Sequence, residues 1–137
     1  MAELKQVMLR VLDLDRSKAF YEATLGLHET ARFDMGDFEL MFLANDEAGV
    51  ELELTRNKSV TEPYEHGTAF GHIGVLVDDA RALRARLEAD GLKPDTLIEY
   101  ELEGLVAARL FFVTDPDGYR IEFIERLGRY ARQSHAA

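Results

Sequence analysis

No cysteine occurs among the 137 residues, which excludes a disulfide framework, a thiolate metal site and a cysteine nucleophile together. Basic residues are scarce: 16 Lys and Arg stand against 26 Asp and Glu, for a formal net charge of −10. Such a chain repels polyanions, so neither nucleic acid nor an anionic membrane is expected as a partner, and an anionic substrate needs a local basic spot. Long apolar runs are missing as well. The opening MAELKQVMLRV lacks the basic segment and the about 7–15 apolar residues of a signal peptide, and no run approaches the ~20 residues needed to cross a bilayer. A cytoplasmic protein is therefore expected, and the absence of disulfides suits a reducing compartment. What is present is 47% hydrophobic residues, enough for a packed core, so a single domain over 1–137 made of two similar halves is the expectation.

Taken along the chain, LKQVMLRVL at 4–12 reads as a strand in which Leu4, Gln6, Met8 and Arg10 share one face. Asp13 or Asp15 can cap a helix starting near Arg16, whose stripe of Ala19, Phe20, Ala23 and Leu25 ends at Gly26. Short strands are expected at His28–Phe33, Phe38–Ala44 and Gly49–Arg56, separated by MGD and NDEAG turns. After a polar connector, Asn57 to Thr68, the pattern restarts. A strand at Phe70–Val77 and a helix at Ala80–Ala89 lead to strands near Pro94–Tyr100, Val106–Thr114 and Tyr119–Glu125. Asp115-Pro116-Asp117-Gly118 joins the last two, with proline fixing φ and glycine free to make φ positive. The expected class is α+β, as two βαβββ modules at about 4–57 and 70–126, followed by a basic tail at 127–137.

The halves are self-similar. Setting Gln6 opposite His72 lays QVMLRVLDLDRSKAFYEATLGL on HIGVLVDDARALRARLEADGL, and VELELTRN on YRIEFIER, so that Glu53 falls opposite Glu122. The spacings agree: 47 residues separate Gln6 from Glu53 and 50 separate His72 from Glu122. A lone histidine in a strand is ordinarily a hydrogen-bonded structural residue, and single glutamates in alternating strands ordinarily face water. Four such residues at repeat-equivalent positions are a stronger observation. If the first and last strands of each half lie side by side at the centre of a curved sheet, an amide oxygen, an imidazole and two carboxylates meet in its concave space, a credible divalent-metal site. His28, His66 and His135 fall in turn, loop and tail contexts and are expected at the surface.

The segments VLDLDRSKAFYEATLGL, VELELTRN, GTAFGHIGVLVDD and DPDGYRIEFIE resemble the glyoxalase I (lactoylglutathione lyase) family of the vicinal oxygen chelate superfamily, over residues 4 to 126. The resemblance implies curved mixed sheets and a homodimer whose active sites form in barrels between chains, where Gln6 and Glu53 of one subunit meet His72 and Glu122 of the other. It implies those four as ligands of one divalent ion (nickel, cobalt or zinc), Glu122 with Glu53 as the proton-transferring pair, and Arg10 and Asn57 as contacts to the γ-glutamyl end of glutathione. The implied reaction converts the methylglyoxal–glutathione hemithioacetal to S-lactoylglutathione, a detoxification of methylglyoxal.

Gln6 speaks against an Fe(II) extradiol dioxygenase, whose facial triad takes two histidines and one carboxylate. The stretch Glu99–Gly104, EYELEG, reads as an acidic loop where longer family members carry basic residues, with Arg109, Lys58, Arg56 and the basic segment Arg126–Arg132 as candidates to offset it. Two other classes stay compatible with the sequence: another metal-dependent epimerase or isomerase of the superfamily acting on a different substrate, and a metal-free small-molecule binding protein of the same fold.

Overall fold

A computed structural model describes residues 1–131, which fall into two compact units dividing at Gly67/Thr68. The first unit runs β1 (Gln6–Arg10), α1 (Leu14–Leu25), β2 (His28–Asp34), β3 (Phe38–Ala44) and β4 (Glu51–Asn57). Its sheet has the order β1-β4-β3-β2, with β1 parallel to β4 and the other pairs antiparallel. Helix α1 begins where Asp13 accepts the Arg16 amide at 3.0 Å, satisfying one of the donors a helix start leaves open. It buries Ser17, Phe20, Tyr21 and Thr24, a stripe at helical spacing, and stops at Gly26 with φ 67°. There the Gly26 and Leu27 amides return to the Glu22 and Tyr21 carbonyls, a closure that favours a residue without Cβ. Buried Leu9, Val11, Met41, Leu43 and Leu54 face that helix.

The second unit repeats the plan with β5 (Ile73–Val77), α2 (Ala80–Ala89), β6 (Ile98–Leu102), β7 (Leu105–Thr114) and β8 (Arg120–Glu125) in the order β5-β8-β7-β6, again with the first strand parallel to the last. A short 3₁₀ turn, Gly128–Tyr130, follows. Asp79 caps α2 by accepting the Ala82 amide at 3.0 Å, and Glu125 reaches across from β8 to accept the Ala80 amide at 2.9 Å. Phe111 and Phe123, fully buried, stack with centroids 4.9 Å apart at the centre of the core. Among the described residues no helix is long and apolar enough to cross a membrane.

The order of elements agrees with the sequence reading, but the stripe of α1 that faces the core is rotated from the expected one: Phe20 is buried, whereas Ala19 and Ala23 are exposed and Ser17, Tyr21 and Thr24 take their place. Four further details differ. First, β1 and β5 each pair with the last strand of their unit but lie at the edge of the sheet rather than its centre. Second, His72 stands just before β5 rather than within a strand from Phe70, because the ladder with β8 begins at Ile73. Third, the strand expected at Pro94–Tyr100 is displaced to Ile98–Leu102. The carbonyls of Pro94 and Asp95 are taken by the Arg84 guanidinium at 3.2 and 2.7 Å, while the Asp95 amide still donates to the Phe112 carbonyl of β7 at 2.8 Å, so the segment touches the sheet without forming a ladder. Fourth, Glu99–Gly104 is consequently the greater part of an edge strand, 99–102, and a tight turn rather than an acidic loop. Glu103 and Gly104 have φ of 51° and 79°, as a two-residue hairpin turn with both central φ positive requires.

Candidate active site

In the first unit, Val7, Leu9, Leu52 and Leu54 point to the helix, so period-2 alternation sends Gln6, Met8, Arg10, Glu51, Glu53, Thr55 and Asn57 to the opposite face. Parallel pairing sets Met8 beside Glu53, and the longer Gln6 side chain reaches diagonally so that its Nε2 donates to Glu53 Oε2 at 2.9 Å. A half-turn of the amide brings Oε1 to the same place, since the two ends of the group are nearly interchangeable in shape.

The second unit does the same with an imidazole. Glu122 lies between Gly74 of β5 and Phe112 of β7, its register partners, and His72 Nε2 stands 2.5 Å from Glu122 Oε2. The Glu122 side chain is 13% exposed and that of His72 45%, so the acid is recessed and the imidazole covers it. The structure thus brings the four expected residues together as two pairs, Gln6 with Glu53 and His72 with Glu122, one in each unit. Among the described residues no three His, Asp or Glu side chains gather at one point. Each pair sets an amide or imidazole against one carboxylate. Amide oxygen, imidazole nitrogen and carboxylate oxygens form a donor set that borderline and hard divalent ions accept, so the residues present fit such an ion.

Arg10 lies in register with Thr55, and Asn57, the last residue of β4, with Phe38, so both share the face of Gln6 and Glu53. The Asn57 amide donates to the Tyr64 hydroxyl at 3.2 Å, which gives the connector a part in fixing that side chain.

The cations expected to offset Glu99–Gly104 are engaged elsewhere. Arg109 lies opposite Glu99 and one strand from Glu125 on the helix side of its sheet, bonded to both carboxylates. Glu99 is also bonded by Arg81, and the Arg109 hydrogen bond, with both guanidinium charges, holds its carboxyl below the ordinary range. Arg56 bonds Glu39 at 2.9 Å, Lys58 bonds Asp34 at 2.8 Å, and Arg126 stands 3.2 Å from Asp78. Arg132 and His135 lie outside the described residues.

Residues 3–123 match the model of the glyoxalase/bleomycin resistance protein/dioxygenase superfamily. The chain belongs to this superfamily. Among curated proteins it is 41% identical over 127 residues to a lactoylglutathione lyase of Haemophilus influenzae, covering 90% of this chain and 92% of that one. A lactoylglutathione lyase of Neisseria meningitidis is 40% identical over 127 residues, covering 90% of each chain. Among solved structures, the trypanothione-dependent glyoxalase I of Leishmania major superposes with a TM-score of 0.74 at 34% identity, over 91% of this chain and 87% of that one. Within the superfamily the chain groups with the glyoxalase I enzymes.

Three further side chains adjoin the expected residues without a local signal in the sequence. Tyr64 lies in a polar connector, where nothing nearby marks it. Phe112 and Arg120 read in the sequence as ordinary members of their strands. The signal that could have found them is register: once Glu122 is placed, an antiparallel neighbour must carry the residue opposite it, and Arg120 shares its face by period 2.

Proposed function

We propose that this chain catalyses the isomerisation of the methylglyoxal–glutathione hemithioacetal to S-lactoylglutathione. It is a lactoylglutathione lyase serving methylglyoxal detoxification, by similarity at about 40% identity across nine-tenths of its length. The observation that carries the reading at residue level is the repetition of one arrangement, an amide or imidazole held against a carboxylate, at equivalent places in both halves.

Gln6, Glu53, His72 and Glu122 are the residues that would hold the divalent ion, nickel, cobalt or zinc. Resemblance to the family supports a homodimer in which the first-half pair of one subunit meets the second-half pair of the other. When bound, the ion supplies Lewis-acid polarisation of the two vicinal oxygens of the substrate and offsets the charge of the enediolate. The chain supplies the rest. Glu122 takes the proton from the carbon bearing sulfur, and a carboxylic acid, Glu122 or Glu53 according to the face presented, returns one to the neighbouring carbon, while the hydroxyl proton passes from the first carbon's oxygen to the second's, so that a thioester carbonyl and a new hydroxyl result. The carbon skeleton and the sulfur bond are kept, and no external oxidant is needed. Two features suit Glu122 to this role: it is recessed, and its β5 neighbour is Gly74, which puts no side chain of its own beside the carboxylate. Glu53 by contrast has Met8 at the corresponding place. Arg10 and Asn57 would bind the γ-glutamyl end of glutathione, and a cytoplasmic setting would supply that thiol.

The test is formation of the thioester from methylglyoxal and glutathione by metal-stripped protein, with nickel, cobalt or zinc added back. Turnover that returns with a stoichiometric divalent ion supports the reading. Stoichiometric metal uptake without thioester formation would transfer the chain to another reaction of the superfamily, and absence of uptake would remove the four-ligand site.

A further inference from the structure

His72 has an unusual task for a residue in its position. It stands just outside the β5–β8 ladder, so no sheet hydrogen bond fixes its backbone, and nearly half its side chain is exposed. The next residue on its face of β5 is Gly74, which has no side chain to lean on. Contact with Glu122 fixes one point of the ring and leaves the imidazole free to rotate about that contact.

The missing constraint lies across the sheet. Phe112 is the register partner of Glu122 on β7, and its ring meets His72 edge to face, with centroids 5.3 Å apart and planes at 86°, the arrangement that the aromatic quadrupole favours. Phe112 is itself held. The Arg120 guanidinium lies 4.7 Å from the centre of its ring, and that guanidinium is tied to Asp95 at 2.6 Å and Thr114 at 3.1 Å. The first unit supplies a comparison. Phe42 is the register partner of Glu53, so both halves put a phenylalanine across from the acid. Phe42, however, meets Phe33, at 6.2 Å between centroids, and Gln6 is anchored within the β1–β4 ladder. Only the half with a ring as donor, placed outside its ladder, turns its phenylalanine onto that donor.

We propose that Phe112, clamped by Arg120, is a positioning residue that sets the plane of the His72 imidazole against Glu122. The inference rests on the ligand reading above and adds an outer layer to it, of the kind whose loss weakens metal binding without touching the metal.

Three variants test it: Phe112→Leu, which keeps bulk but loses the ring; Phe112→Tyr, which keeps the ring; and Arg120→Gln, which frees it. Nickel affinity of metal-stripped protein, measured by competition with a coloured chelator, is expected to fall about tenfold in Phe112→Leu, less in Arg120→Gln, and to stay within about twofold of the parent in Phe112→Tyr. An independent reading comes from metal-free protein. The nuclear Overhauser contacts from the His72 ring protons, identified by their loss in His72→Asn, to the Glu122 side-chain methylenes report the plane of the imidazole directly: they should change in Phe112→Leu and persist in Phe112→Tyr. Thermal unfolding checks that each variant is folded. Unchanged His72–Glu122 contacts in folded Phe112→Leu overturn the proposal, whatever the affinity does, and so does an affinity within about twofold of the parent. If the parent itself takes up no nickel, the ligand reading fails, and the His72–Glu122 contacts alone decide whether Phe112 orders His72.

Discussion

Asp115 opens the DPDG turn and is 4% exposed. One of its oxygens accepts two backbone amides, from Asp117 at 2.9 Å and Tyr119 at 2.8 Å. Removing the acceptor leaves donors unpaired beneath the β7–β8 connection, at a cost of about 1–3 kcal/mol. Asp115→Ala should show that loss as a lower urea midpoint with an unchanged slope, and Asp115→Asn, which keeps one acceptor, should lose less. A chemical role also belongs to one residue. Glu122→Gln keeps the shape and a ligating oxygen but cannot take a proton, so thioester formation should fall by about 10²–10⁴-fold with the unfolding midpoint nearly unchanged. A turnover number close to that of the parent would exclude Glu122 as the base.

Elements in this protein depend on their ends. Both helices start at an aspartate in extended conformation whose side chain accepts an amide of the first turn, Asp13 for α1 and Asp79 for α2. Each Asp→Ala change should cost about 1 kcal/mol, read as a shift in denaturant midpoint. Asp79→Ala should cost less than Asp13→Ala, because Glu125 independently supplies an acceptor to the first turn of α2. The sheet edge carries a pH signature. Arg32 bonds Asp15 and Glu29, and its hydrogen bond, with its charge, holds the Asp15 carboxyl below the ordinary range. Lys58 does the same for Asp34. A carboxylate whose folded pKa is lowered contributes stability above its unfolded pKa, near 3.9, and loses it as pH falls through the folded value. Arg32→Gln should therefore lower the denaturant midpoint slightly near neutrality, the pairs being exposed and screened, and converge with the parent as pH falls well below about 4, so that its fall on acidification is shallower. A parallel displacement of the whole pH curve would contradict this.

At the scale of the molecule, duplication has divided the labour. Each unit builds the same parallel pairing of first and last strand, and each brings one amide or imidazole to one acid. If the homodimer joins the first-half pair of one subunit to the second-half pair of the other, mixing two inactive variants should restore function. A heterodimer of Glu53→Gln with Glu122→Gln holds one site with both substitutions and one with neither. Random reassociation makes half the dimers heterodimeric, so about a quarter of parental activity should return. No recovery after verified subunit exchange would place both halves of each site within one subunit.

Much of this was legible in the chain itself. Helix limits at Asp13 and Gly26, the helix at Ala80–Ala89, the strand at Phe38–Ala44 and the turn at DPDG follow from caps, alternation and glycine, all of which act within a few residues. The internal repeat named Gln6, Glu53, His72 and Glu122, and the structure places them in two contacting pairs. The displaced β6 and the fate of the cations were not legible. Pro94–Ile98 has strand-forming character, but Arg84, ten residues upstream of Pro94, takes its carbonyls. Arg109, Lys58 and Arg56 look available in a sequence and are paired in the fold. Phe112 and Arg120 likewise acquire meaning only through register, which brings together strands whose sequence positions say nothing about which side chain will face which. Local rules act through the chain and can be read from it. Partners across a sheet are chosen by packing, and only the folded molecule shows them.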